Sequence, residues 1–130
     1  NLAQRVAYGW HQLPVPVIAV TQGVCFGGGL QIALGADFRF STPDCRFSVM
    51  EIKWGIIPDM SGSVTLRNLM GMDAAMELAM SGRELEASEA KSLGLVSRVC
   101  ADPLEEARAF ARTLITKSPD ALAGIKQLYT

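Results

Sequence analysis

Long apolar runs, an excess of charge of one sign and paired cysteines are all missing from this sequence. No stretch reaches the roughly 18 apolar residues that a membrane helix needs, because proline, glycine or a charged residue interrupts each apolar run. The 12 basic residues balance 13 acidic ones without blocks of either sign. Nucleic acid and membrane surfaces are therefore not expected as partners.

Cysteine and histidine are also scarce. The three cysteines, Cys25, Cys45 and Cys100, show no metal-ligand spacing, and the single histidine is His11. An odd number of cysteines in so apolar a chain suits a reducing compartment better than a disulfide framework. We therefore expect a cytoplasmic protein with no bound metal. Neither a signal nor a transit peptide is visible, and the start at Asn1 rather than Met suggests that an N-terminal portion is missing.

The residues that are present predict an α/β fold. Nearly half of the 130 residues, 49%, are hydrophobic, so the chain can bury a core as one globular domain or as part of one. Apolar residues of 2–13 recur at helical spacing, which predicts an amphipathic helix that ends at Pro14. The β-branched run at 15–20 is typical of a strand buried on both faces of a parallel sheet.

Shorter elements are predicted along the rest of the chain. Strands are expected at 37–41, 46–48 and 95–99, and helices at 30–36, 64–70, 73–80, 87–93, 103–116 and 119–129. Asp102 and Ser118, each followed by proline, are predicted helix N-caps, and Asp73 is a third candidate. Residues 50–63 fit neither the helical nor the strand period, so we interpret them as a functional loop.

Three consecutive glycines, Gly27, Gly28 and Gly29, lie between the first strand and the next helix. Such a turn costs backbone entropy and is typical of a backbone that approaches another group closely or adopts positive φ. The N–H groups at a helix start can bind an oxygen that gains negative charge. Taken alone, the triplet favours close packing of helix and strand over a ligand site. A phosphate loop is not indicated, because the Gly-Lys-Ser/Thr of such loops is missing.

The neighbouring residues resemble the enoyl-CoA hydratase/isomerase, or crotonase, family. The resemblance begins with the segments PVIAVTQG at 16–23 and FGGGLQIA at 26–33. It continues, in the family's order and spacing, through Ala36-Asp37, Phe47, Glu51, residues 55–58, Ser81-Gly82 and residues 87–96. It therefore covers nearly the whole chain, and it favours a ligand site at the glycine turn.

The resemblance implies a crotonase-like spiral of ββα units followed by a helical trimerisation region. The chain corresponds to the C-terminal half of that fold, as a single domain fragment. Residues from 1 to about 80 would belong to the spiral core, and residues from about 81 to 130 to the helical region. An acyl-CoA substrate and a homotrimer or hexamer are the partners that the family implies, with coenzyme A as part of the substrate and no other cofactor.

The resemblance also assigns residues to a substrate site. In the family, the N–H of the middle glycine, here Gly28, is one half of an oxyanion hole for the thioester carbonyl. Phe26, Gly27, Gly29, Trp54 and Pro58 are expected to line the substrate. The second N–H donor belongs to an N-terminal segment outside this sequence, so the chain by itself is expected to lack a complete site.

Proton transfer next to a thioester requires a carboxylate. The family's two carboxylate positions correspond here to Gln31 and Glu51, and Gln31 departs from the hydratase pattern, which has Glu there. An amide cannot take a proton from water. Double-bond isomerisation with Glu51 as the base is therefore favoured over hydration. Asp59 stands where dienoyl-CoA isomerases of the family carry a further acid.

Three functions remain open at this point. The first is the isomerase, with Asp59 or Gln31 orienting substrate or water. The second is an enoyl-CoA hydratase in which Glu51 and Asp59 jointly manage water, and the third is a non-catalytic acyl-CoA-binding module. Without the resemblance, Glu51 would be interpreted as a loop carboxylate paired with Lys53 or Arg46. Gln31 is expected to hydrogen-bond water, substrate or Glu51, and His11 is expected at the surface.

Overall fold

The computed structural model describes residues 2–130 as short strands that alternate with helices. The elements in chain order are α1 (Leu2–Gln12), β1 (Ile18–Thr21), β2 (Val24–Phe26), α2 (Gly28–Ala33), β3 (Phe38–Ser41), β4 (Arg46–Ser48), a 3₁₀ helix (Met50–Trp54), α3 (Gly62–Leu69), α4 (Met72–Ser81), β5 (Leu85–Glu86), α5 (Ala87–Ser92), β6 (Arg98–Val99), α6 (Pro103–Leu114) and α7 (Pro119–Tyr129).

The strands form two small sheets. In the first, β3 lies between β1 and β6 and all three are parallel. In the second, β4 is parallel to β2 and antiparallel to β5. Two successive pairs of strands therefore stack in register, since β1 lies beside β3 while β2 lies beside β4. This repeat brings the turn that follows β2 next to the end of β4.

The hydrophobic core lies between α2, the second sheet and helices α3 to α5. Leucine is its most frequent residue, and alanine and cysteine are the small residues of the cluster. The largest fully buried members of this core are Leu30, Leu34, Phe47, Leu66, Leu78, Leu85, Leu95 and Val96. Among residues 2–130, no helix has the length and apolarity that crossing a membrane requires.

Arg39 of β3 is a charged side chain that is buried, with 4% exposure. Its Nε donates to the carbonyl of Leu95 at 2.7 Å, and its Nη1 donates to the carbonyl of Ala36 at 2.7 Å. Burial lowers the pKa of the guanidinium, and the nearby Asp37 opposes that shift. Arg39 thus joins the end of α2 to the segment after α5, because it satisfies carbonyls that would otherwise be buried without donors.

Two of the predicted helix starts are confirmed. Asp102 accepts a hydrogen bond from the Glu105 N–H at 3.2 Å, and Ser118 accepts one from the Ala121 N–H at 3.3 Å. The proline that follows each cap occupies the first turn of α6 and of α7. These caps were predictable because the signal is local.

Other predictions about the elements were wrong. Strand β1 is only partly buried, with Val20 exposed at 37%, so it is not covered on both faces. Asp73 is not the N-cap of α4, which is Gly71. Strands β2 and β5 were not predicted, because three and two residues are too short for a periodic pattern.

We expect Gly35→Ala to destabilise the fold. A Cβ at Gly35, just after α2, would lie 1.9 Å from the carbonyl oxygen of Ala7 in α1. The position of a Cβ is fixed by its own backbone, and the carbonyl belongs to the backbone of α1, so no side-chain rotation relieves the overlap. We therefore expect a loss of about 3 kcal/mol or more in the free energy of unfolding. Urea denaturation of the full-length protein measures it.

Gly9→Ala is the matched control, because a Cβ at this position in α1 meets nothing within 4 Å. It should raise the free energy of unfolding by about 0.5–1 kcal/mol, which is the usual gain when alanine replaces glycine in a helix interior. Equal stability of the two variants would contradict the close contact between α1 and the end of α2.

Candidate functional site at the glycine turn

The glycine turn connects β2 to α2. Gly27 has φ of 55° and ψ of −124°, a conformation that side-chain-bearing residues rarely adopt. Its N–H donates to the carbonyl of Ser48, at the end of β4, at 3.0 Å. The turn is therefore tied to the strand that leads directly into the 3₁₀ helix.

Helix α2 begins at Gly28, and the first hydrogen bond of this helix runs from the Gln31 N–H to the Gly27 carbonyl at 3.1 Å. The N–H groups of Gly28 and Gly29 consequently have no partner within the helix. Gly28 is half-buried and Gly29 is exposed. The turn can thus be approached from outside, which the expected ligand site requires.

Glu51 lies in the 3₁₀ helix and is buried at 6% exposure. The three residues that follow it, Ile52, Lys53 and Trp54, are exposed, so the single turn directs this carboxylate inward. A Cβ at Gly27 would lie 3.7 Å from Glu51 Oε1. The carboxylate therefore lies next to the glycine turn.

Gln31 binds Glu51 directly. The Nε2 of Gln31 donates to Oε1 of Glu51 at 2.6 Å, and the Gln31 side chain is buried at 3% exposure. Its Oε1 accepts the N–H of Met60 at 2.8 Å and the N–H of Gly62 at 3.1 Å. Two backbone donors at one atom identify it as the oxygen, so the amide can face Glu51 only with its nitrogen.

The other carboxylate oxygen of Glu51, Oε2, is buried and has no hydrogen-bond partner among residues 2–130. A buried polar atom without a hydrogen-bond partner lowers the stability of the folded state. Such atoms therefore need an explanation, and one explanation is a site that binds a ligand. The arrangement leaves Glu51 with Oε1 held in place and Oε2 without a partner among the described residues.

The alternative interpretation of Glu51 as a salt-bridged loop residue is not supported. Arg46 forms its ion pair with Glu84 instead. Lys53 is exposed while Glu51 is buried, and no ion pair to Glu51 occurs within the described part of the chain.

The remaining candidate residues take different positions. Phe26 ends β2, directly before the glycine turn, and both Phe26 and Pro58 are half-buried. Asp59 is exposed, and its N–H donates to the Ile57 carbonyl at 2.9 Å. Trp54 is 76% exposed, so within this chain it does not line an enclosed pocket. Only Gln31, Glu51 and the glycine turn are brought into direct proximity.

His11 was expected at the surface, and the structure places it in a half-buried cluster away from this site. Its Nδ1 lies 3.6 Å from Asp37 Oδ1, and Lys126 contacts the other oxygen of Asp37 at 2.8 Å. Burial lowers the pKa of His11, while Asp37 raises it by a smaller amount. The Nδ1 atom has no hydrogen-bond partner among residues 2–130, and His11 is a half-buried residue of α1, so the expectation of a surface position was wrong.

Sequence reasoning missed the residues that fix Gln31. Met60 and Gly62 act through backbone N–H groups, and Ser48, which fixes Gly27 and not Gln31, acts through its carbonyl. Backbone donors leave no side-chain signature in a sequence. The available signal was Gly62 itself, because a Cβ there would lie 2.8 Å from Gln31 Oε1 and only glycine leaves room for the amide.

Known proteins are similar to this chain in sequence and in fold. The sequence model of the enoyl-CoA hydratase/isomerase family matches residues 4–130. A carnitinyl-CoA dehydratase of Salmonella typhi is 39% identical over 119 residues, which are 90% of this chain and 46% of that protein.

Solved structures agree with this match. The enoyl-CoA hydratase of Mycobacterium smegmatis superposes with a TM-score of 0.84 at 35% identity, over 92% of this chain and 47% of its own. That of Polaromonas sp. JS666 gives a TM-score of 0.89 at 34% identity, over 98% and 50%. The fold is thus the crotonase fold in part, since the chain spans about half the length of these relatives.

The chain belongs to the enoyl-CoA hydratase/isomerase family. The resemblance stated from the glycine turn and residues 51–58 is confirmed, and so are the predicted fold class and the partial coverage.

We expect Cys25, which precedes the glycine turn, to be unreactive. Burial raises the pKa of its thiol to about 12, with a smaller contribution from Cys45, so at pH 8 the thiolate is scarce. Half-buried Cys100 should be alkylated by iodoacetamide well before buried Cys25 and Cys45. Peptide mass spectrometry measures the order, and denatured protein, in which all three sites should react, is the control. Rapid labelling of Cys25 in the native protein would contradict this expectation and would indicate a reactive thiol beside the turn.

Proposed function

We propose that this chain carries the proton-transfer residue of an enzyme that acts on enoyl-CoA thioesters, with double-bond isomerisation as its reaction. The observation that carries the proposal is the buried Glu51 carboxylate, with Oε1 bound to Gln31 and Oε2 without a partner among the described residues. Family membership supports the thioester substrate, because the family is that of enoyl-CoA hydratases and isomerases.

The glycine turn is proposed to bind the thioester carbonyl. The N–H of Gly28 has no partner within α2 and lies at the positive end of that helix. A hydrogen bond to the carbonyl oxygen becomes stronger as that oxygen gains negative charge in the enolate, and one such donor contributes about 2.7–4 kcal/mol to transition-state stabilisation. A second donor, which the family resemblance implies, is proposed to come from a segment outside this sequence.

Glu51 would then move a single proton. In a 3-enoyl thioester, Oε2 takes the proton from C2, and the C–H electron pair spreads over the enolate that Gly28 stabilises. The same proton returns to C4, and the double bond shifts from C3–C4 to C2–C3. One carboxylate is sufficient for this sequence, since the proton taken is the proton returned.

Gln31 supports isomerisation over addition of water. Its nitrogen donates to Glu51 and its oxygen accepts two backbone N–H groups. Gln31 therefore has no lone pair or titratable group left with which to activate water. Phe26 and Pro58, half-buried beside the site, are proposed to contact the acyl part of the substrate, and Trp54 and Asp59 to meet it from the exposed loop.

Dehydration is a second candidate, and the relative named carnitinyl-CoA dehydratase favours it. In a 3-hydroxyacyl thioester, Glu51 would take the C2 proton and return it to the departing hydroxyl group, which leaves as water. Both candidates use the same base and the same carbonyl site. They differ in the substrate and in the product.

Assembly and cofactor use are part of the same proposal. A homotrimer or hexamer is what the family resemblance implies, and exposed apolar side chains on the last helices, at Ile115, Leu128 and Tyr129, support a covered surface there. Coenzyme A enters only as part of the substrate, and no residue proposed here requires another cofactor.

We expect Glu51→Gln in the full-length protein to lower kcat by about 10²–10⁴-fold, because the amide cannot accept the proton. Chromatography of products from 3-enoyl-CoA, trans-2-enoyl-CoA and 3-hydroxyacyl-CoA gives both rate and reaction type. Glu86→Gln is the control, since this carboxylate is exposed on β5. Unchanged turnover in Glu51→Gln would remove Glu51 from the site, and binding without turnover in the unmutated protein would favour the non-catalytic alternative.

The variant Gln31→Glu tests whether the amide at position 31 is what favours isomerisation over hydration. One new oxygen would still accept the N–H groups of Met60 and Gly62, but the other would face Glu51 as a second acceptor that can bind water or share a proton. Hydration of trans-2-enoyl-CoA should therefore rise relative to isomerisation of 3-enoyl-CoA. Gln31→Leu, which cannot hydrogen-bond, should lower both rates. A fall in hydration in Gln31→Glu would contradict the role given to the amide.

A further inference from the structure

The side chain of Met60 lies over the glycine that carries the proposed carbonyl donor. A Cβ at Gly28 would lie 3.5 Å from Met60 Sδ and 4.0 Å from its Cε. These are van der Waals distances, so the thioether forms a wall on the side-chain face of Gly28. Met60 is half-buried, so part of the residue is exposed.

The segment that carries Met60 is held in one conformation. The N–H groups of Met60 and Gly62 both donate to Gln31 Oε1. Between them, Ser61 has φ of 70°, and it is the one non-glycine residue with positive φ in residues 2–130. Its carbonyl accepts both the N–H and the Oγ1 of Thr65 at 3.1 Å. Backbone strain of this kind persists only where the surroundings fix it.

Met60 is thus positioned by the same amide that positions Glu51. A thioester whose carbonyl oxygen binds the Gly28 N–H must place its first acyl carbons within a few ångströms of this wall. Methionine is apolar and flexible, so it can pack against an unbranched chain. Its volume would collide with a substituent near the carbonyl.

We infer that Met60 determines substrate specificity, by admitting acyl thioesters that are unbranched at C3 and rejecting those that carry a methyl group there. This inference rests on the proposed function, because it takes Gly28 as the carbonyl site. It concerns which acyl groups react and leaves the identity of the base to Glu51.

Met60→Ala should raise kcat/KM for a 3-methyl-branched enoyl-CoA, relative to the unbranched enoyl-CoA of equal chain length, by about 10-fold or more. Met60→Val, which leaves a smaller cavity, should change the ratio in the same direction. Met60→Leu, of similar volume, should leave it near that of the unmutated protein. Met80→Ala is the matched control, because Met80 lies on α4 with 70% exposure.

The outcomes separate this inference from the proposed function. An unchanged ratio in Met60→Ala and Met60→Val, with activity still lost in Glu51→Gln, would overturn the role of Met60 alone. An equal fall in kcat for both substrates would show that Met60 only supports the fold, and it would overturn the inference as well. Activity that survives Glu51→Gln would refute the proposed base, whatever Met60 does.

Discussion

The amide of Gln31 is the interaction on which the candidate site depends. Through three hydrogen bonds it joins α2 to the 3₁₀ helix that carries Glu51 and to the loop before α3. The 3₁₀ helix and the loop follow each other directly, whereas Gln31 lies 20 to 31 residues before its three partners. A short, buried network of this kind is stronger than the same bonds in water, because the local dielectric is low.

This constraint explains why the carboxylate is asymmetric. Glu51 could be buried with both oxygens satisfied, as most buried polar groups are. Here Oε1 is held by Gln31 next to the glycine turn, and Oε2 is buried without a partner among residues 2–130. Leu30, Leu34 and Phe47, of α2 and β4, pack in the hydrophobic core next to these segments. Buried polar atoms that lower the stability of the fold are expected at functional sites.

Much of the fold was predictable from local signals, and the site only in outline. The caps at Asp102 and Ser118 depend on neighbouring residues alone. The hydrogen bond from Gln31 to Glu51 was one of three expectations for the amide, and it depends on tertiary structure that brings together residues 20 positions apart. Strand β2 and the donors at Met60 and Gly62 depend on backbone groups brought together by tertiary structure, for which side-chain identity gives little indication.

The ammonium group of Lys126 suggests an order of folding. From α7 it reaches back to the carbonyl of Trp10, 116 residues earlier, at 3.1 Å, and to that of Val15 at 2.8 Å. Contacts of such sequence separation form late, since closing a long loop costs entropy before the contact can stabilise anything. The carbonyls of Trp10 and Val15 therefore acquire Lys126 as a partner only after α7 has been synthesised. Docking of α7 on the end of α1 would follow the formation of contacts that are closer in sequence.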